Sequence, residues 1–140
     1  QMASLDEIFA ECDIVSVHSA LNTENRGLIG KKHFQMLRDG ALFLNTSRGD
    51  VLDEAALIEE LKTNRFRAVL DVYHQEPLAE DSPLRSLPNV YALPHMAGPT
   101  LDRREWITKA LIDEMTGFFA GREKFELEIT GELAKRMTKM

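Results

Sequence analysis

The sequence predicts an α/β protein built on a mainly parallel sheet. Four short apolar runs, DIVSVH, ALFLN, AVLDV and VYAL, alternate with segments that read as helices. Three of the runs lead into turns that each carry one charged side chain, Arg48, Glu76 and His95. In an open parallel sheet the loops at the carboxyl ends of the strands gather on one edge, where ligands bind. A guanidinium, a carboxylate and an imidazole are therefore expected on one rim.

Ser4 with Glu7 three residues later is a capping-box pattern and predicts a short helix to about Ala10. Asp13–His18 reads as a buried strand, being apolar and β-branched. Ser19–Gly27 is polar and predicts a loop. A short helix is expected near Lys31–Arg38, ended by the Asp39-Gly40 turn signal. Ala41–Asn45 is the second strand and Thr46–Asp50 a loop. Asp53 caps a helix with Ala56, Leu57 and Leu61 at helical spacing, closed by Asn64-Arg65. Ala68–Val72 is the third strand. The proline-bearing stretch His74–Leu87 is a loop, and Val90–Leu93 is the fourth strand. Thr100–Phe119 predicts a long amphipathic helix with Trp106, Ala110, Met115 and Phe118 inward and Gly121 as its stop. The polar tail to Met140 is expected to hold no more than one short turn. Right-handed crossovers are expected to place helices on both faces of the sheet.

A chain of 140 residues is one domain by length. Its formal net charge of -6 argues against a general nucleic-acid or acidic-membrane binder, since both attract basic faces. Cys12 is the one cysteine and has no partner for an internal disulfide, which fits a reducing cytoplasm. It lacks positive neighbours and reads as a quiet, partly buried thiol. No stretch approaches the roughly 20 apolar residues that span a bilayer. The opening QMASLDEIFAECD reads as mid-domain text, so a fragment of a longer protein is expected.

Taken singly, Arg48 reads as an exposed arginine near a helix start, Glu76 as an exposed acid and His95 as a structural hydrogen-bonding group. Together they suit carboxylate chemistry. A guanidinium fork matches a carboxylate and keeps its charge. A glutamate beside a histidine fixes the ring's tautomer and favours its protonated form. Such a ring donates a proton to a carbonyl oxygen as hydride reaches the carbon, and takes it back in reverse. Gly49 allows an unusual dihedral or a close approach to a ligand. Asp71 could accept from an amide or a ring, or cap a loop. His18 closes the first strand on the same rim, and His33 and His74 read as surface residues. Spacings such as HExxH and CxxC do not occur, so no metal site is expected. A P-loop, a GxSxG elbow and GxGxxG are likewise missing from the sequence.

In order and spacing, VSVH, NTSRGDVLDEAAL, LDVYHQEPL and LPNVYALPHMAGPT resemble the D-isomer-specific 2-hydroxyacid dehydrogenases, from about Leu5 to Gly121. The resemblance implies a doubly wound, Rossmann-type fold. Residues 1–121 would be the second half of its NAD-binding domain, and 122–140 a tail returning to the substrate domain. Arg48 would bind the substrate carboxylate, His95 act as general acid and base, and Glu76 pair with it. The cofactor would be NAD, with NADP left open, contacted by His18, Ser19, Thr46, Ser47, Arg48, Asp71, His95 and Gly98. Related formate dehydrogenases carry glutamine where Glu76 stands, so the glutamate points to a 2-oxo or 2-hydroxy acid of the glyoxylate or hydroxypyruvate kind. The full-length protein would be a homodimer, and the fragment alone inactive. Two departures stand out: Ala20 replaces a common proline, and Asp50 adds a negative charge near Arg48 that is expected to point outward. Relatives that sense NAD as transcriptional corepressors keep the same Arg–Glu–His set, which makes a non-catalytic sensor the alternative.

Overall fold

The computed structural model describes residues 2–127 and 129–138. They fall into two compact units, one running to Met96 and one starting at Ala97.

The first unit is a four-stranded parallel sheet in the order β1-β2-β3-β4. Its strands are Ile14–Val17, Leu42–Asn45, Arg67–Leu70 and Val90–Ala92. Helix α1 (Leu5–Glu11) starts at the expected capping box, with Ser4 Oγ accepting from Glu7 N–H and Glu7 Oε2 accepting from Ser4 N–H. Cys12, part-buried, closes its other end. Helix α2 (Lys31–Met36) precedes β2, and α3 (Glu54–Leu61) precedes β3. Asp53 caps α3 by accepting from Ala56 N–H at 3.0 Å. The expected stops hold as well: Gly40 (φ +82°) and Asn64 (φ +57°) take the left-handed conformation that ends a helix or turns the chain.

The core lies between one face of the sheet and α1–α3. Val15, Val17, Phe43, Ala68 and Leu70 alternate along the strands and meet Phe9, Phe34, Leu57 and Leu61 from the helices. Phe9, Phe34 and Phe43 meet at tilted and edge-on angles, with centroids 5.5–6.4 Å apart, the geometry that aromatic quadrupoles favour. The opposite parity is less covered: Leu42, Leu44 and Val69 are half-buried, and Ile14 and Tyr91 remain largely exposed. Helices on both faces were expected from right-handed crossovers. A sequential strand order moves every crossover in the same direction, so one hand puts α2 and α3 on one side. The unit thus carries one of the two helical layers of a doubly wound sheet.

His33 departs from its surface expectation. Its side chain is mostly buried, Nδ1 accepts from Gly30 N–H at 3.1 Å, and its ring packs 5.3 Å from that of Phe9. It caps α2 from the third helical position, as a glutamate does in a capping box.

The second unit holds α4 (Leu101–Phe119) and α5 (Gly131–Thr138). Gly121, at φ +83°, stops α4 as expected. The inward face expected of α4 is not buried: Trp106, Met115 and Phe118 are largely exposed, and Gly117 is the buried residue of the helix. The tail is more regular than its composition suggests, since α5 runs two turns instead of one. Lys139 and Met140, the end of the expected tail, lie outside the described residues. Among the described residues, no helix is long and apolar enough to cross a membrane.

Candidate active site

The carboxyl ends of the four strands form one edge, and each expected site residue of the first unit follows a strand end. His18 and Ser19 come after β1, Thr46–Arg48 after β2, and Asp71 after β3. Glu76 sits in the turn beyond β3, and His95 three residues beyond β4.

His95 and Glu76 are in contact. His95 Nδ1 lies 2.6 Å from Glu76 Oε2. The carboxylate's other oxygen accepts from Tyr73 N–H at 3.1 Å. A carboxylate partner at Nδ1 places the proton there, so Nε2 is the nitrogen left for chemistry. Partial burial pushes the Glu76 carboxyl up. The hydrogen bonds from His95 and from Tyr73 N–H, with the charges of His95 and Arg48, outweigh that and hold it below the usual carboxylate range. The charge of Arg48 thus reaches the pair. A cleft of about 510 Å³ opens beside it, walled by apolar residues such as Pro77, Leu78, Leu93 and Pro94.

The turn that carries His95 is held in a demanding conformation. His95 has φ +54°, in the left-handed region that favours glycine. Asp71, buried at the end of β3, accepts from Met96 N–H at 2.8 Å through Oδ1. The acceptor role expected of Asp71 therefore includes a backbone amide of this turn.

The Arg48 loop is held from beneath by Asn45, which the sequence reading did not single out. Asn45 is fully buried. Its Oδ1 accepts from Ser47 N–H (3.1 Å) and Ser47 Oγ (2.8 Å), and its Nδ2 donates to Arg48 O (3.0 Å). The signal lay in its type, since a polar amide that ends a buried strand needs partners. Ser47, expected along the cofactor, is buried and turns its hydroxyl into this loop. Gly49 fits its expected role of close approach, but against protein: a Cβ there would lie 2.1 Å from the carbonyl carbon of Tyr73. Arg48 is exposed and gives one N–H to Ser47 O at 2.6 Å. Asp50 turns to Arg26 at 2.8 Å, so its charge is neutralised locally. His74, a surface residue as expected, has its Nε2 2.8 Å from Leu52 O and donates its backbone N–H to Glu54 Oε2 at 2.9 Å.

Beyond β1 the rim is barer. His18 and Ser19 are exposed, and His18 Nε2 contacts Ser16 Oγ at 2.8 Å. Gly98 belongs to the second unit. The exposed imidazole of His18 and hydroxyl of Ser19 at the end of β1, with half-buried Thr46 at the end of β2, suit the polar ribose and nicotinamide end of a dinucleotide. Among the described residues there is no glycine-rich turn for its phosphates, so the fit concerns that end alone.

A parallel, Rossmann-like sheet with a His–Glu pair and an arginine on its carboxyl edge has the architecture of a dinucleotide-binding domain. The family model described as D-isomer specific 2-hydroxyacid dehydrogenase, NAD binding domain, matches residues 1–97, and the chain belongs to that family. It is 41% identical over 112 residues to a glyoxylate/hydroxypyruvate reductase B of Klebsiella pneumoniae, covering 79% of this chain and 35% of the relative. It is 34% identical over 122 residues to a D-3-phosphoglycerate dehydrogenase of Archaeoglobus fulgidus, covering 86% and 23%. The crystal structure of a D-isomer specific 2-hydroxyacid dehydrogenase from Xanthobacter autotrophicus Py2, in complex with NADPH and MES, superimposes with a TM-score of 0.80 at 34% identity, over 91% of this chain and 41% of that one. The chain thus spans about a third or less of the length of these curated relatives.

Proposed function

We propose that the full protein carrying this chain is an NAD(P)-dependent D-2-hydroxyacid dehydrogenase that reduces a 2-oxo acid of the glyoxylate or hydroxypyruvate kind. The single observation that carries the reading is the 2.6 Å contact between His95 Nδ1 and Glu76 Oε2 on the strand-end rim that also bears Arg48.

In this reading Arg48 holds the substrate carboxylate through the N–H donors not given to Ser47 O, and its charge draws electron density from the neighbouring carbonyl. A bound nicotinamide dinucleotide supplies the hydride. His95 Nε2 donates a proton to the carbonyl oxygen as the carbon is reduced, and accepts it from the hydroxyl in the reverse direction. Glu76 takes the Nδ1 proton's hydrogen bond throughout and offsets the positive charge of the ring. Asp71 supports the turn of His95 and faces the nicotinamide amide. Thr46, Ser47, His18 and Ser19 line the cofactor, with Gly98 at the ring. Residues 1–121 would be the second half of the cofactor domain and 122–140 a return to the substrate domain. A homodimer in the cytoplasm completes the proposal, supported by the family and by the unpaired Cys12. Activity is proposed for the full protein and not for these residues alone, which hold the acid–base half of a site and no phosphate turn.

The test is NADH and NADPH oxidation by the full protein with a panel of 2-oxo acids, glyoxylate and hydroxypyruvate included, repeated with His95→Ala. The expected result is turnover that falls about 10²–10⁴-fold in the variant with cofactor affinity unchanged. Turnover with none of the acids, or undiminished turnover in the variant, overturns the reading.

A further inference from the structure

Three elements of the rim meet at one residue, Tyr73. It is buried, and it touches each of the charged groups' supports in a different way. Its backbone N–H orients Glu76 by donating to Oε1 at 3.1 Å. Its carbonyl lies against Gly49, where a Cβ would come within 2.1 Å of the Tyr73 carbonyl carbon, so it sets the height of the loop that carries Arg48. Its hydroxyl lies 2.8 Å from both Leu70 O and Leu93 O.

The third contact bears on His95. Leu93 N–H donates to Leu70 O at 2.8 Å, which continues the ladder between β3 and β4 by one residue. Leu70 O is thereby already supplied with a donor, and the one proton of the Tyr73 hydroxyl is shared between it and Leu93 O; two residues on His95 stands in the left-handed region. Asp71 grips the far side of the turn at Met96 N–H. The conformation of His95 is thus fixed between a hydroxyl before it and a carboxylate after it. Without the hydroxyl, Leu93 O loses that donor and turns toward water to regain one. That rotation passes directly through Pro94 to the imidazole. Burial pushes the hydroxyl pKa up, so Tyr73 stays a neutral donor.

We propose that Tyr73 is a positioning residue whose hydroxyl, through the Leu93 carbonyl, sets the His95 ring on Glu76, while its backbone independently sets Glu76 and the Arg48 loop. The kinetic consequence rests on the dehydrogenase reading; the structural one does not. Tyr73→Phe removes the hydroxyl and leaves both backbone contacts, so it separates proton transfer from anion binding. In the full protein kcat is expected to fall about tenfold, as a small misplacement of an acid–base group does. KM for the 2-oxo acid stays within about twofold, because Arg48 is untouched.

The decisive readout needs no turnover. A proton shared by an imidazole and a carboxylate at 2.6 Å gives a low-field NMR resonance, assigned here by its loss in Glu76→Gln. Tyr73→Phe is expected to move it upfield or abolish it, at an unfolding midpoint that shows the variant is folded. If the variant does not fold, 3,5-difluorotyrosine at position 73 keeps the ring and lowers the hydroxyl pKa, and the resonance should move as the hydroxyl ionises. A resonance unmoved by the loss or ionisation of the hydroxyl overturns the proposal whatever happens to kcat, and so does a wild-type protein with no resonance that Glu76→Gln removes. A wild-type protein that turns over no 2-oxo acid, yet shows the expected movement, retires the dehydrogenase reading and leaves the role of Tyr73 standing.

Discussion

The carboxyl ends of β2, β3 and β4 differ sharply from that of β1. At the first three, every chemistry-bearing side chain stands on a buried support: Asn45 under the Arg48 loop, Asp71 and Tyr73 under His95 and Glu76. At β1, His18 and Ser19 are exposed, and the contact of His18 is with its neighbour Ser16. His95, Glu76 and the Arg48 loop are therefore fixed by the fold of this unit. The groups expected to meet the cofactor ribose stand exposed on the surface. A preorganised donor acts without reorganising at the moment of reaction, whereas a cofactor grip can form as the cofactor binds.

That contrast can be broken at four points. The largest effect on stability is expected for Gly49→Ala, because the new methyl would overlap the Tyr73 backbone, which cannot step aside. About 2–3 kcal/mol should be lost, as overpacking a tight site costs, measured as a lower urea midpoint in the full protein. A midpoint equal to wild type would show that the loop is not seated on Tyr73. Next is Arg48→Lys. An ammonium forms no planar fork, and KM for the 2-oxo acid should rise about 10–100-fold with cofactor affinity little changed. An unaltered KM removes Arg48 as the anchor.

Glu76→Gln sharpens the comparison through pH. The carboxylate lies 2.6 Å from His95 Nδ1. Removing the charge that holds the ring should lower kcat for 2-oxo acid reduction about tenfold or more, and an unchanged kcat would mean the pair does not act together. The same group links pH to stability. Its carboxyl titrates below the ordinary 4.5 in the folded protein, so the folded state prefers the ionised form. Its stabilising share is present above that ordinary value and is lost as pH falls through the lower, folded one. The gap in unfolding midpoint between wild type and Glu76→Gln should accordingly be widest above about pH 5 and close as acid is added. His18→Ala closes the series. Its site is exposed and unsupported, so kcat should stay within about twofold and cofactor affinity fall only a few-fold. A collapse of kcat would show that the β1 end is as preorganised as the others.

Much of this contrast was legible in the sequence, and the illegible part has a common cause. Strands, caps and stops follow from local patterns, as Ser4, Asp53 and Gly40 illustrate, because their energetics are settled within a few residues. The charged rim followed from strand ends. Two of the supports did not, because they pair groups far apart in the chain, Asp71 with Met96 and Gly49 with Tyr73, as the capping His33 does with Phe9; Asn45, which holds residues two and three away, was within local reach. The single helical layer has the same origin, since strand order is a long-range property. Helix α4 shows the limit of periodicity. Its apolar residues recur at helical spacing, but spacing says which residues share a side and not whether anything covers it.

The measurement that bears most directly on the central claim is a crystal structure of the full protein with NAD and oxamate, an unreactive analogue of a 2-oxo acid. The account predicts the carboxylate forked on Arg48 and the amide oxygen about 3 Å from His95 Nε2, with Nδ1 still on Glu76. Oxamate bound away from Arg48, or a His95 ring turned off Glu76 in the complex, would contradict it.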